Sequence, residues 1–167
     1  MTELSPEIHK KLKLVQMLAL DSDGVFTDGG VYVAEDGHEF RRFDIKDGAG
    51  LKAVMALGIK VVVISSGKNQ AVRHRCHQLG IEEVHTGVED KLSCLRQVCD
   101  RYSIPMDQVC YVGDDWIDLP VIGAVGVSCA PADAVDDVKG GVSFVTSKPG
   151  GRGAVREICE WIIASHQ

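Results

Sequence analysis

The sequence predicts an α/β fold, a doubly wound, Rossmann-like parallel sheet with a β-hairpin inserted after its first strand. Short aliphatic runs alternate with longer amphipathic segments along most of the 167 residues, and that alternation implies a parallel sheet covered on both faces. Gly58 and Gly80 follow amphipathic segments and read as helix stops. The stretch 31–45 breaks the alternation with two short runs around Asp36-Gly37, and an Asp-Gly between such runs is a strong hairpin signal.

The first strand is expected over 15–21, an aliphatic run that stops at Asp21-Ser22-Asp23-Gly24. The hairpin follows. Isolated hairpins are marginal in water, so it is expected to pack on something, such as a neighbouring subunit. A helix over 48–57 leads to a strand over 60–64, and a helix over 70–79 to a weaker strand over 82–85. Further helices are expected over 90–102, 116–122 and 152–165, with strands over 109–112 and 124–128. With no internal repeat and no linker, the expectation is one domain over 1–167 with its hairpin insert at about 31–45.

Composition removes several functions. Hydrophobic residues make up 45% and charged residues 25% of the chain, as in ordinary globular proteins. A net charge of −6 argues against a nucleic-acid surface. No apolar run reaches the ~18 residues of a membrane span. The N-terminal stretch MTELSPEIHKKLKL lacks the apolar core and cleavage site of a signal peptide. Cys76, Cys94, Cys99, Cys110, Cys129 and Cys159 form no CxxC pair and read as reduced thiols of a cytoplasmic protein.

In doubly wound sheets ligands bind beyond the carboxyl ends of the strands. Those exits carry Asp21-Ser22-Asp23-Gly24, then Ser65-Ser66-Gly67-Lys68, then Gly113-Asp114-Asp115-Trp116-Ile117-Asp118, with Lys91 opening the helix after the third strand. Taken singly, Asp21, Asp23, Asp114 and Asp115 are turn or cap residues, Ser66 an N-cap and Lys91 a solvated helix residue. Converging on one edge, two acidic loops are costly unless a cation neutralises them. Mg²⁺ suits such an oxygen-only site. An EF-hand fails, because Gly24 stands at loop position 4 and Tyr32 at position 12.

The chemistry these groups suit is phosphoryl transfer. Asp21 attacks phosphorus, forming an aspartyl-phosphate. Asp23 protonates the leaving alcohol and then activates water. Ser66, the Gly67 N–H and the following helix N-terminus hold phosphate oxygens, the turn at Gly24 lets backbone N–H groups approach, and Lys91 neutralises charge.

These residues resemble the haloacid dehalogenase superfamily of phosphotransferases. Its first motif is matched by Asp21-Ser22-Asp23-Gly24-Val25-Phe26-Thr27-Asp28-Gly29, its second by Ser66, its third by Lys91 and its fourth by Gly113, Asp114 and Asp118. Over nearly the whole chain, "YVGDDWIDLPVI" and "GGRGAVREICE" further resemble the capless 3-deoxy-D-manno-octulosonate 8-phosphate phosphatase family. The resemblance implies a phosphatase of lipopolysaccharide sugar synthesis, with Mg²⁺ held by Asp21, the Asp23 carbonyl and Asp114. It also implies a homotetramer whose hairpins form a central barrel. The tail Gly150-Gly151-Arg152-Gly153 would then reach a neighbour's substrate, Arg152 pairing with its carboxylate or covering the pocket.

Two positions bear on substrate. The family's second motif usually runs Ile-Thr-Gly-Arg, where this chain has Ile64-Ser65-Ser66-Gly67-Lys68. Lysine keeps the charge without the bidentate fork. Relatives acting on nine-carbon sugar-acid 9-phosphates tend to carry Glu there and in the tail, so Arg152 favours the eight-carbon substrate while Lys68 fits neither pattern. A phospho-receiver domain is the alternative from another class, but receivers lack DxDG followed by a GD(x)3D loop. His74 and His77 share a helix face without a third zinc partner, "PGGRG" follows no core strand, and Trp116 reads as a packing residue.

Overall fold

A computed structural model describes residues 5–167. The N-terminal stretch assessed for a signal peptide includes residues 1–4, which lie outside them. Ser5 caps α1 (Pro6–Leu12), its hydroxyl accepting the Ile8 N–H at 3.3 Å, with proline at the first helical position. The chain continues through β1 (Met17–Leu20), the hairpin strands β2 (Tyr32–Val33) and β3 (Glu39–Phe40), α2 (Ile45–Ala56), β4 (Lys60–Ser65) and α3 (Gln70–Leu79). It then forms β5 (Glu83–Thr86), α4 (Lys91–Tyr102), β6 (Val109–Val112), α5 (Leu119–Ile122) and β7 (Val127–Ala130). The chain closes with α6 (Asp136–Gly141), β8 (Phe144–Val145) and α7 (Ala154–Ser165).

Six strands form a parallel sheet in the order β5-β4-β1-β6-β7-β8. β1 is central, and the chain leaves it first for one side and later for the other. That reversal is where a doubly wound sheet opens a crevice. Alternate side chains feed two cores. Leu18, Leu20, Val61 and Val63 pack with Leu51 and Val54 of α2 and with Val155, Ile158 and Ile162 of α7. Met17, Ala19, Val62 and Ile64 pack with Leu95 and Val98 of α4 and with Val121 of α5. A strand buried on both faces reads as a continuous apolar run, which is why these strands are visible in sequence.

Several boundaries differ from expectation. α2 begins at Ile45 rather than at 48, because the Asp44 carboxylate accepts the Lys46 N–H at 2.8 Å and caps the helix ahead of two glycines. β7 begins at Val127 rather than at 124. Gly126 is tied to the preceding segment, its N–H donating to the Met106 carbonyl at 3.0 Å, and a Cβ there would lie 1.8 Å from the Asp107 carbonyl oxygen. The helix over 116–122 divides into a tight turn, Trp116–Asp118, and α5. α1, α6 and β8 were not expected. Each is short, and α1 and α6 each bury only one side chain, too little for a periodic signal.

Within 31–45, Tyr32 pairs antiparallel with Phe40 and Val33 with Glu39, and the Ala34 N–H donates to the His38 carbonyl at 2.8 Å. All six cysteines are free thiols, five of them buried.

Candidate active site

Register brings the polar exits together. Leu20 is level with Val63 on one side and Val112 on the other, so β1, β4 and β6 end at one edge. Asp21 follows directly, its N–H donating to the Val112 carbonyl at 3.0 Å. The chain turns at Ser22–Phe26, where Asp23 is extended and Gly24 left-handed at φ 83°. Glycine is required there twice over: no Cβ tolerates that φ cheaply, and one would lie 2.0 Å from Asp114 Oδ2.

Lys91 is the first residue of α4, whose start is capped by Asp90 accepting the Ser93 N–H at 2.9 Å. Its side chain turns inward and is 1% exposed. The ammonium lies 2.8 Å from both Asp21 Oδ2 and Asp118 Oδ1. Asp118 Oδ1 also accepts the Tyr111 hydroxyl at 2.6 Å, while its Oδ2 accepts the Asp114 and Asp115 N–H groups at 3.0 and 3.3 Å. Gly113 makes that approach possible, since a Cβ there would lie 2.4 Å from that of Asp118.

Asp21 is almost wholly buried, with Oδ1 accepting the Ser22 N–H at 2.6 Å. Asp114 Oδ1 is buried with no hydrogen-bond partner among the described residues. Burial pushes the Asp21 carboxyl up to about 6; the Lys91 charge pulls the other way, and Asp118 adds to the rise. Burial, then the Asp21 and Asp118 charges, push Asp114 up to about 8. The Lys91 ammonium is raised: burial works against its charge, and the two carboxylates outweigh it.

Asp21, Asp114 and Asp118 place carboxylate oxygens within 4.8 Å of one another. Asp118 is the wrong member of that trio to hold an ion, because its two oxygens already accept four hydrogen bonds and it fixes Lys91 and the β6 exit loop instead. That leaves Asp21 and the unpartnered Asp114 oxygen, an oxygen donor set that fits a hard divalent cation such as Mg²⁺.

Six expected residues, Asp21, Asp23, Ser66, Gly67, Lys91 and Asp114, line one cleft of about 160 Å³. Gly24 does not line it. Its N–H donates to the Thr27 hydroxyl at 3.3 Å, so its part is steric, making room for Asp114. Lys68 is exposed with its side chain over Gly87. Arg152 lies outside its own chain's cleft, 3.3 Å from Asp28, beside a separate cavity of about 350 Å³. Trp116 is 65% exposed rather than packed, its indole N–H donating to Asp137 at 2.9 Å. His74 and His77 are exposed.

Sequence reasoning missed two groups. Ser65 also lines the cleft and is buried, whereas Ser66 is exposed. β4 runs one residue beyond the apolar stretch, and a polar residue continuing a strand was the available signal. Arg41, just after β3, donates from Nε to Asp23 Oδ1 at 3.0 Å. A basic pair inside a hairpin carries no such signal.

This arrangement defines a hydrolase class. Residues 30–126 match the haloacid dehalogenase-like hydrolase family. The chain is 38% identical over 160 residues to the 3-deoxy-D-manno-octulosonate 8-phosphate phosphatase of Salmonella typhimurium, covering 96% of this chain and 85% of that protein. The crystal structure of the Yersinia pestis phosphatase of the same name superposes with a TM-score of 0.96 at 33% identity, covering 98% of this chain and 88% of that one. The Moraxella catarrhalis phosphatase, in complex with a magnesium ion, a phosphate ion and a KDO molecule, superposes with a TM-score of 0.93 at 32% identity, covering 95% of this chain and 91% of that one. The chain belongs to the 3-deoxy-D-manno-octulosonate 8-phosphate phosphatase family of haloacid dehalogenase-like hydrolases.

Proposed function

We propose that this protein is a Mg²⁺-dependent phosphatase that hydrolyses 3-deoxy-D-manno-octulosonate 8-phosphate to the sugar acid and phosphate. The observation that carries the reading is a buried Asp21, bonded to a buried Lys91, facing the unpartnered Asp114 carboxylate in one cleft. Asp21, the Asp23 carbonyl and Asp114 would hold Mg²⁺, which offsets the repulsion between phosphate and carboxylates.

Asp21 forms the new O–P bond as the ester P–O bond breaks, and Asp23 gives its proton to the leaving alkoxide. Asp23 then takes a proton from water, whose oxygen attacks phosphorus and frees Asp21. Lys91 keeps the attacking carboxylate oriented and meets negative charge as it grows on the phosphoryl group. Ser65, Ser66, Gly67 and the N-terminus of α3, capped by Asn69, supply polar groups for phosphate oxygens. Lys68 and Arg152 are assigned to the sugar end, Arg152 in a neighbour's site.

One phosphatase domain over 1–167, with its hairpin insert at about 31–45, carries this activity. The reading includes a homotetramer whose hairpins form a central barrel. Support comes from the exposed Val31, Tyr32, Val33 and Phe40 on the hairpin, an apolar patch that favours a partner. It also includes a cytoplasmic role in lipopolysaccharide sugar synthesis. Among the described residues no helix is long and apolar enough to cross a membrane.

The test compares kcat/KM for the eight-carbon 8-phosphate and a nine-carbon sugar-acid 9-phosphate, with and without Mg²⁺. The eight-carbon ester is expected to win, and Asp21→Asn to abolish turnover with folding intact. A nine-carbon preference moves the substrate and keeps the mechanism. No turnover together with a persistent acyl-phosphate would point to a receiver domain.

A further inference from the structure

The hairpin delivers a side chain to the reaction centre that the strand-exit motifs do not contain. Arg41 follows β3, yet its side chain is only 7% exposed. Every nitrogen of its guanidinium has an acceptor. Nε donates to Asp23 Oδ1 at 3.0 Å, Nη1 to the Phe40 carbonyl at 3.2 Å and Nη2 to Glu39 Oε2 at 3.0 Å. The fork is therefore fixed from three sides, and it closes on one oxygen of Asp23. The other oxygen, Oδ2, faces the opposite wall of the cleft, 3.0 Å from where a Cβ on Gly67 would stand.

We infer that Arg41 is a positioning residue for Asp23: it occupies Oδ1 and leaves Oδ2 as the oxygen that passes the proton. The argument rests on the reading of Asp23 as acid and base. A guanidinium offers only donors, and the carbonyl oxygen of a protonated carboxyl is the better acceptor for it, so the proton is favoured on the other oxygen. When Asp23 is the acid, the proton sits on Oδ2. It moves to the leaving alkoxide oxygen as the ester P–O bond breaks and the Asp21–phosphorus bond forms. In the return step a water proton moves back to Oδ2. Without Arg41 the half-exposed carboxyl is free to rotate and to present either oxygen, and misplacement by about 1 Å costs up to about 100-fold in rate.

A purely structural Arg41 would pin the hairpin and affect every substrate alike. The leaving group separates the two roles. An aryl oxide departs without a proton, whereas an alkoxide needs one. The experiment measures kcat/KM, which reports the first phosphoryl transfer, for wild type, Arg41→Gln, Arg41→Lys and Asp23→Asn with saturating Mg²⁺. The substrates are 3-deoxy-D-manno-octulosonate 8-phosphate as the alkyl ester and p-nitrophenyl phosphate as the aryl ester.

Arg41→Gln is expected to lose about 10- to 100-fold on the alkyl ester and less than about threefold on the aryl ester. Asp23→Asn should show a larger loss with the same selectivity. Arg41→Lys keeps a charged donor and should fall between Gln and wild type; it also serves if the Gln variant does not fold. The inhibition constant of the free sugar acid is expected to stay within about twofold of wild type. Equal losses on both esters, or a sugar-acid inhibition constant that rises in step with the alkyl loss, would overturn the proposal. If Asp23→Asn itself shows no leaving-group selectivity, the acid–base reading of Asp23 falls and the proposal with it. If only Asp23→Asn shows it, the Arg41 proposal falls alone.

Discussion

Replacing Asp114 by Asn should stabilise the metal-free protein while destroying its response to Mg²⁺. The Asp114 carboxyl is pushed from 3.8 up to about 8, first by burial and then by the Asp21 and Asp118 charges, and its Oδ1 has no partner. A group whose folded value is raised contributes stability that is full below its unfolded value and is lost as pH rises through the folded one. Between about pH 4 and pH 8 the wild type therefore loses stability. At about 1.36 kcal/mol per unit, the charge costs about 4 kcal/mol at pH 7. The cleft is open to water, and screening reduces this to about 2–4 kcal/mol. Asn is isosteric, carries no charge and turns an amide donor toward Asp21 and Asp118. In EDTA at pH 7 it should melt above wild type by about 4–16 °C, with a flatter pH dependence. Adding Mg²⁺ should raise the wild-type midpoint and leave Asp114→Asn unmoved. An Asn variant that melts below wild type in EDTA would refute the reasoning, because Asp114 would then be held by favourable contacts.

Lys91→Met should act in the opposite sense, leaving two buried carboxylates without their shared cation and costing about 3–5 kcal/mol; urea denaturation in EDTA, set beside Asp114→Asn, gives the sign. At the far edge of the sheet, burial pushes the Glu83 carboxyl up, but hydrogen bonds from Tyr102, His85 and Arg101 outweigh it and hold Glu83 below its ordinary value. The stability this gives is full above about pH 4.5 and is lost as pH falls through the lower folded value. Glu83→Gln should therefore flatten the acid limb of stability, measured by urea denaturation from about pH 6 down to about pH 3.

Much of this was legible because buried parallel strands announce themselves as apolar runs. Leu18 to Leu20 and Val61 to Ile64 have no exposed face, so the exits that follow them stand out as abrupt polarity. Once those exits are placed on one edge, Asp21, Lys91 and Asp114 follow as a cluster. Positions set by a single residue of register or by side-chain direction were not legible. Ser65 rather than Ser66 is the buried hydroxyl because β4 extends one residue further. Gly24 serves space and backbone geometry, while its N–H turns to Thr27. Arg41 reaches Asp23 across eighteen residues of chain, through a hairpin with only two paired positions on each strand.

Charge pairing leaves this edge better suited to a dication than to another lysine. Lys91 is shared equally at 2.8 Å between Asp21 and Asp118, and the other three hydrogen bonds of Asp118 hold that carboxylate in place. Arg41 takes Asp23. Asp21 shares Lys91, and among the described residues Asp114 Oδ1 has no hydrogen-bond partner. Two acidic side chains thus lie together at low exposure: burial raises both carboxyl values, Asp118 adds to the rise of Asp21, and Asp21 and Asp118 add to that of Asp114, which costs stability in the absence of metal. A second lysine would balance only one of them and would fill the cleft with a stem. A small divalent ion balances both and keeps room for water and a phosphate oxygen. The same burial and like charge that destabilise the metal-free fold would favour a bound cation, and relieving them by mutation should trade activity for stability.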